Sequence, residues 1–157
     1  MLAAACGCRA GQPGSLRARL VRLPHDTLQF TADARVRRCG EGRGLVLEGI
    51  VGGNGLLLWL YSRDSAMGGK YPVLTRGDTA APRGVVGAVR FMLGASDRGV
   101  TLDSGVVTIS SAGGRMDAQA RGSGMDPSSG QRVVLDASFE AVPMAADTVE
   151  CRVQLRP

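Results

Sequence analysis

A period of two between apolar and polar residues is the feature that most constrains how this chain can fold. The pattern runs through residues 28–37, 115–121, 132–141 and 149–156. Such a period sends successive side chains to opposite faces of an extended backbone. Each of these four segments is therefore predicted to be a strand with one buried and one solvated face.

Six further segments bring the prediction to about ten strands. Four segments are apolar at both odd and even positions, so both faces of each strand are apolar: residues 45–51, 56–61, 85–93 and 106–110. These segments are predicted to lie near the middle of the sheets. Residues 16–23 and 70–75 are predicted to be peripheral, the latter because Pro72 cannot donate to a ladder. Turn residues separate the segments, and no window keeps a helical period beyond two turns. The predicted fold is an all-β antiparallel β-sandwich, with a partly closed β-barrel as the alternative.

The length and composition of the chain are typical of one domain with a single hydrophobic core. The chain has 157 residues, of which 44% are hydrophobic, and no apolar run approaches the roughly 20 residues of a membrane-spanning helix. Residues 16–157 are predicted to form a single domain. Residues 1–15 are expected to be the remainder of a signal segment followed by a Gly/Pro-rich flexible tether.

The positive charge is unevenly distributed. The formal net charge is +5, and all basic residues except Lys70 are arginines. This skew is typical of a GC-rich coding sequence, so it does not argue for nucleic acid, and no nucleic-acid partner is predicted. The excess lies within residues 1–43, where it predicts either a face that approaches anionic headgroups or, as the favoured interpretation, the solvated faces of two edge strands.

The amino-terminal segment Leu2-Ala3-Ala4-Ala5-Cys6 resembles the lipobox of a bacterial lipoprotein signal peptide. The resemblance implies that Cys6 receives a diacylglyceryl group and becomes the first residue of the mature protein. Only five residues precede Cys6, so a start codon further upstream is expected to supply the rest of the signal peptide. Cys8 is left without an assignment.

A second resemblance rests on the order of four short motifs. These are Gly69-Lys70-Tyr71-Pro72, Gly105–Ile109, Ala112–Arg115 and Phe139–Pro143. Within residues 28–143 this order is similar to that of small bacterial envelope lipoproteins of unknown function. The resemblance implies an all-β extracytoplasmic domain, anchored to the membrane in the periplasm or at the surface, and it brings no catalytic residues.

The remaining two cysteines fit the same compartment. Cys39 follows a predicted strand, and Cys151 lies on the inward parity of the predicted last strand. A disulfide between them would join the first and last parts of the domain and would require an oxidising compartment. Two buried free thiols are the alternative.

Residues for catalysis or metal binding are scarce. His25 is the single histidine, next to Asp26 in a predicted turn, and no motif for zinc or for another cofactor occurs. Leu102-Asp103-Ser104-Gly105 resembles the D-S/T-G loop of aspartic proteases, but it occurs once, and a plain turn is the favoured interpretation. No metal, no cofactor and no catalytic residue are therefore predicted.

Binding functions stay open. Trp59 and Tyr61 lie two residues apart and share a face, where they would line a ligand site if exposed and belong to the core if buried. The function predicted from the sequence is a non-catalytic, lipid-anchored, extracytoplasmic domain that acts as a structural, assembly or binding module, with an unknown envelope protein as its partner. The alternatives are a lipocalin-like carrier of a small apolar ligand and, third, an aspartic-type hydrolase that uses Asp103.

Overall fold

The structure is a computed structural model that describes residues 12–22, 24, 26–40, 44–62, 68–75 and 81–151. It contains ten strands, and no helix occurs among these residues. The strands are β1 Gly14–Arg22, β2 Asp26–Cys39, β3 Gly44–Val51, β4 Asn54–Ser62, β5 Gly69–Pro72, β6 Arg83–Leu93, β7 Ser96–Thr101, β8 Ser104–Ala112, β9 Arg115–Met125 and β10 Arg132–Val149. The predicted all-β, sandwich-like fold is confirmed.

All ten strands belong to one sheet, in the order β5-β8-β9-β10-β1-β2-β3-β4-β6-β7. Each neighbouring pair in this order is antiparallel. Over the described residues the ladder does not close into a barrel, although its two ends approach each other at an isolated bridge between Val73 and Val85.

Two long strands connect the two parts of this sheet. Residues of β2 up to Ala34 pair with β1, and residues from Ala34 onward pair with β3. The first half of β10 pairs with β9 and β1, and its last residues run parallel to β2, ending with Val149 opposite Cys39. The sheet can therefore fold over on itself while its backbone groups stay paired.

The core lies between the facing parts of the sheet. The alternation of β2 is observed as predicted, with Phe30, Ala32, Ala34 and Val36 buried and the residues between them mostly exposed. Contacts across the core confirm that distant strands face each other: the Arg22 guanidinium of β1 lies 5.9 Å from the centre of the Phe91 ring of β6. One continuous cluster of apolar side chains fills this space.

The prediction for the last strand is wrong at its start, and one strand was not predicted. The sequence predicts a strand at residues 149–156, but β10 ends at Val149, Cys151 lies in a turn, and residues 152–157 lie outside the described residues. The sequence did not predict β7. Its residues, Ser-Asp-Arg-Gly-Val-Thr, show neither an alternation of apolar and polar side chains nor an apolar run. Pairing with the apolar β6 keeps this polar segment extended.

The predicted position of the first strand is also wrong. Its many arginines favoured a peripheral strand, but β1 lies in the middle of the sheet between β10 and β2. Only one face of β1 is buried, so the outward Arg17 and Arg19 stay in water without needing an edge position. The peripheral position predicted for the segment that contains Pro72 is confirmed, because β5 ends the sheet.

No helix among the described residues is long and apolar enough to cross a membrane.

Candidate functional site

Asp103 lies between β7 and β8, where its carboxylate is held by neighbouring strands. Its two oxygens accept hydrogen bonds from the Arg132 guanidinium at 2.9 and 3.2 Å, and its Oδ1 accepts one from the Ser104 hydroxyl at 3.0 Å. The Arg132 guanidinium also donates to Ser123 at 2.7 Å. These contacts, the bond from Arg132 above all, lower the pKa of Asp103 below its ordinary value.

This environment differs from that of an aspartic protease. In such enzymes two carboxylates share one proton, which requires that one of them has a raised pKa. Here the partners of Asp103 are a cation and a hydroxyl, and its pKa moves in the opposite direction. The cluster is suited to tying the β7–β8 connection to β9 and β10, as the turn interpretation of the sequence implies.

Trp59 and Tyr61 share one face of β4, as predicted, and the structure shows that it is the outer face. Both side chains are half-buried, so they are neither core residues nor a freely exposed platform. Val46 of β3 and Val86 of β6 stand opposite Trp59 on the two neighbouring strands. The indole is therefore enclosed on both sides within the sheet face.

The edge of the Trp59 indole is turned toward the cysteine pair. A side chain built on Gly44 would lie 3.1 Å from the indole nitrogen and 2.6 Å from the Cys39 sulfur. Gly44 thus keeps open the space into which both groups project. The indole nitrogen is buried and makes no hydrogen bond to the described residues. Packing beside the disulfide explains the position of Trp59 without a ligand.

Cys39 and Cys151 are brought together as the sequence predicts. Their Cα atoms lie 5.4 Å apart and their sulfurs are at bonding distance, across a sequence separation of 112 residues. The backbone hydrogen bond from Gly40 to the carbonyl of Val149, at 2.9 Å, holds the two segments in register beside the pair. Cys6, Cys8 and His25, also considered from the sequence, lie outside the described residues.

Sequence reasoning missed a buried charge cluster on the outer face of β3. The carboxylate of Glu48 is largely buried and accepts hydrogen bonds at 2.6 Å from both Arg35 and Arg37 of β2. Arg37 also reaches Asp147 of β10 at 3.6 Å. The sequence does contain one signal for this cluster: Glu48 is an acidic residue in an otherwise apolar strand. A carboxylate is seldom buried without a cationic partner, so a buried Glu48 implies nearby arginines.

Glu48 lies in one of two grooves that meet at Ile50. The first groove, about 490 Å³, is lined by Pro13, Asp33, Ala34, Arg35, Glu48, Gly49, Ile50 and Pro143. The second, about 350 Å³, is lined by Ile50, Gly53, Asn54, Gly55, Leu56, Leu57, Ala88, Val89, Arg90 and Gly99. Gly53, Gly55 and Gly99 contribute no side chains to its lining. Both grooves lie on the outer surface, so a partner can reach them without opening the sheet.

Within the described residues, no three His, Cys, Asp or Glu side chains are grouped closely enough to hold a metal ion. The candidate site is the outer surface around Ile50, where the two grooves meet, with the cysteine pair and the Asp103 cluster as structural features. Comparisons with protein-family models, with curated proteins and with solved structures found no match to this chain.

Proposed function

We propose that this chain is a non-catalytic binding module of the bacterial cell envelope, anchored through lipid on Cys6 and located outside the cytoplasm. The observation that carries the proposal is the Cys39–Cys151 pair at bonding distance. Disulfides persist in oxidising compartments and are rare in the cytosol. The pair thus supports the extracytoplasmic location, and the lipobox-like segment that ends at Cys6 supports the anchor.

The contacts of Asp103 support a non-catalytic role. A general acid or base has to exchange a proton near neutral pH, whereas the Arg132 guanidinium favours the charged form of this carboxylate. The hydroxyl of Ser104 is likewise engaged with Asp103 and with Ser123. The cluster on this side of the molecule supplies cross-strand contacts and no activated nucleophile.

The interior supports binding at the outer surface over carriage of an apolar ligand. The largest inward side chains, among them Leu16, Leu47, Phe91 and Phe139, are almost completely removed from water. A carrier needs an interior wide enough to hold its cargo, which leaves the lining side chains in contact with solvent when it is empty. Among the described residues, concave surface that a partner can reach lies on the outside of the sheet, in the two grooves at Ile50 and in a third beside Arg17 and Arg19.

The test is the intact mass of the protein purified from its bacterial host, measured before and after reduction. We expect an added diacylglyceryl group that maps to Cys6 by peptide analysis. We also expect a deficit of two hydrogens that disappears on reduction and maps to Cys39 and Cys151. A Cys6→Ser chain is the matched control, because it should lose the lipid and keep the hydrogen deficit.

Either half of the result can overturn the proposal. An unmodified chain with free thiols would place the domain in a reducing compartment. An apolar molecule released in equimolar amount by organic extraction would favour the carrier.

A further inference from the structure

We propose that the tip of the β3–β4 hairpin, residues 50–53, is a membrane-contact element that enters the headgroup region of the bilayer beside the lipid anchor. The tip is the most exposed apolar part of the described surface. The Ile50 side chain is 69% exposed and the adjacent Val51 is 41% exposed. The only other large apolar residues that are similarly exposed in the described ranges, Val106, Met125 and Val134, are not adjacent in sequence.

The tip carries no charge. From Gly49 to Ser62 the sequence contains no acidic or basic residue. Entry into a bilayer surface favours apolar groups and penalises isolated charges, so an apolar tip without charges of its own is suited to it.

The backbone leaves the tip free to project. Pairing between β3 and β2 ends at Gly49, opposite Ala34, so Ile50 and Val51 are held only by β4. The turn is formed by Gly52 and Gly53, both with positive φ. An added side chain on Gly52 would meet nothing within 4 Å, whereas one on Gly53 would lie 2.8 Å from Met92 of β6. The turn therefore projects at Gly52 and packs against β6 at Gly53.

The tip lies on the side of the domain at which the chain enters. Pro13, directly ahead of β1, lines the same groove as Ile50. Cys6 is only six residues before Gln12, and a fully extended chain of that length spans about 20 Å at most. This step rests on the proposed anchor: if Cys6 carries lipid, the groove that contains Pro13 and Ile50 is held within about that distance of the membrane surface.

Arginines flank the tip on both sides. Arg35 lines the first groove and Arg90 lines the second, and both side chains are more than half exposed. Each is paired with a carboxylate, Arg35 with Glu48 and Arg90 with Asp97 at 3.0 Å. Long arginine side chains can keep their charge at headgroup level while apolar neighbours lie deeper. This layout fits a phospholipid surface. The interface of a stable dimer is larger and more hydrophobic than this small tip with its paired charges.

The experiment measures binding to vesicles of phosphatidylethanolamine and phosphatidylglycerol by co-sedimentation. The 157-residue chain with Cys6→Ser, which cannot be acylated, is compared with the same chain carrying Ile50→Ser and Val51→Ser. The matched control carries Val106→Ser and Val134→Ser. Val134 is 41% exposed, as is Val51, and lies on β10. Circular dichroism and thermal midpoints confirm that all three chains fold.

We expect the tip variant to lose about tenfold in vesicle partition, because two exposed apolar side chains are removed from the contact, and the control to bind as its parent does. Absence of binding by the parent, or an equal loss in the control, would overturn the proposal. A concentration-dependent dimer that disappears only in the tip variant would assign the tip to a second copy of the chain. Because acylation is blocked throughout, this result is independent of the mass measurement that tests the anchor.

Discussion

Asp126 is a fully buried carboxylate at the start of the β9–β10 connection. Burial by itself raises its pKa, but hydrogen bonds from the Ser129 hydroxyl at 2.8 Å and the Ser128 amide at 2.9 Å favour the charged form, as does the charge of Arg98. The net effect lowers the pKa below the ordinary value of 3.8. The folded state therefore stabilises the ionised carboxylate of Asp126 relative to the protonated one.

This preference predicts how Asp126→Asn changes stability. At neutral pH the free energy of unfolding should fall by about 1–3 kcal/mol, because the charged hydrogen bonds are lost in a buried position. The folded pKa is lower than the unfolded one, so the contribution of Asp126 is present above the unfolded value and is lost as pH falls through the folded value. The variant should therefore lose less stability than the parent on acidification.

Urea denaturation at neutral pH and over about pH 5 to 2 measures both effects. The exposed Asp136, on β10, supplies the control Asp136→Asn, which should change stability by about 0.5 kcal/mol or less. An Asp126→Asn chain with the same acid dependence as its parent would contradict the assignment.

For single residues, sequence patterns predicted burial better than they predicted which side chains form hydrogen bonds and ion pairs with each other. The alternation in β2 identified Phe30 and Val36 as buried, because the period of a strand is a local property. The pairing of Arg132 with Asp103 depends on which strands lie side by side, and the two residues are 29 positions apart. For the same reason Glu48 could be recognised as unusual in its strand, but its two arginines could not be named.

Among the elements, β10 has an irregularity that a regular strand would not need. Its register with β9 shifts between Phe139 and Val142, and Ala141 within this bulge has a φ of 50°, in the left-handed region. The Asp117 carboxylate accepts a hydrogen bond from the Ala141 amide at 2.6 Å, and the Arg115 guanidinium donates to its carbonyl at 2.7 Å. Two side chains of β9 therefore hold the bulge in place.

A residue with a Cβ is strained at this φ, so Ala141→Gly should raise the free energy of unfolding by about 0.5–1 kcal/mol. Ala112→Gly is the control at the end of β8, a position without positive φ, where the same change should be neutral or destabilising. Thermal and urea unfolding of both variants provide the comparison. A loss of stability in Ala141→Gly would show that the bulge is not strained by its side chain.

Element prediction from the sequence succeeded where a segment carries its own pattern and failed where a partner imposes the structure. The apolar β3, β4 and β6 were found because one face is buried and the other is at least half-buried over most of each strand, which leaves a nearly continuous apolar run. The polar β7 was missed because it is extended by its pairing with β6. Arginine content placed β1 at an edge, although a central strand in a one-sided sheet can equally carry charge on its wet face.

In the molecule as a whole, the Cys39–Cys151 pair fixes the last strand to the second one. It closes a loop of 112 residues, which in the chain-entropy model corresponds to about 4–5 kcal/mol. The double variant Cys39→Ser, Cys151→Ser should lose a free energy of unfolding of that size. A reductant should lower the stability of the parent by a similar amount and leave the double variant unchanged, which makes the parent and variant mutual controls. Equal stability with and without reductant would show that the bond does not constrain the unfolded chain.

The overall architecture was predictable only as a class. Strand periodicity and the near absence of a helical pattern indicated an all-β antiparallel fold. The strand order was not predictable, since β1 pairs with β10 at the other end of the chain and nothing local in either strand specifies the other. The surface around Ile50 was likewise hidden, because the ending of the β2–β3 ladder at Gly49 is what exposes it.

The central position of β1 also determines when, during synthesis, its two neighbouring strands become available. One edge of β1 is satisfied by β2 at once, but its other neighbour, β10, begins at Arg132, about 110 residues after β1 ends. At ribosomal speeds of roughly 5–20 residues per second, that edge waits about 5–20 s for its partner. Until β10 has been made, the β1 edge presents unpaired backbone groups that can pair with another extended chain. The native sheet therefore forms only after β10 has been made.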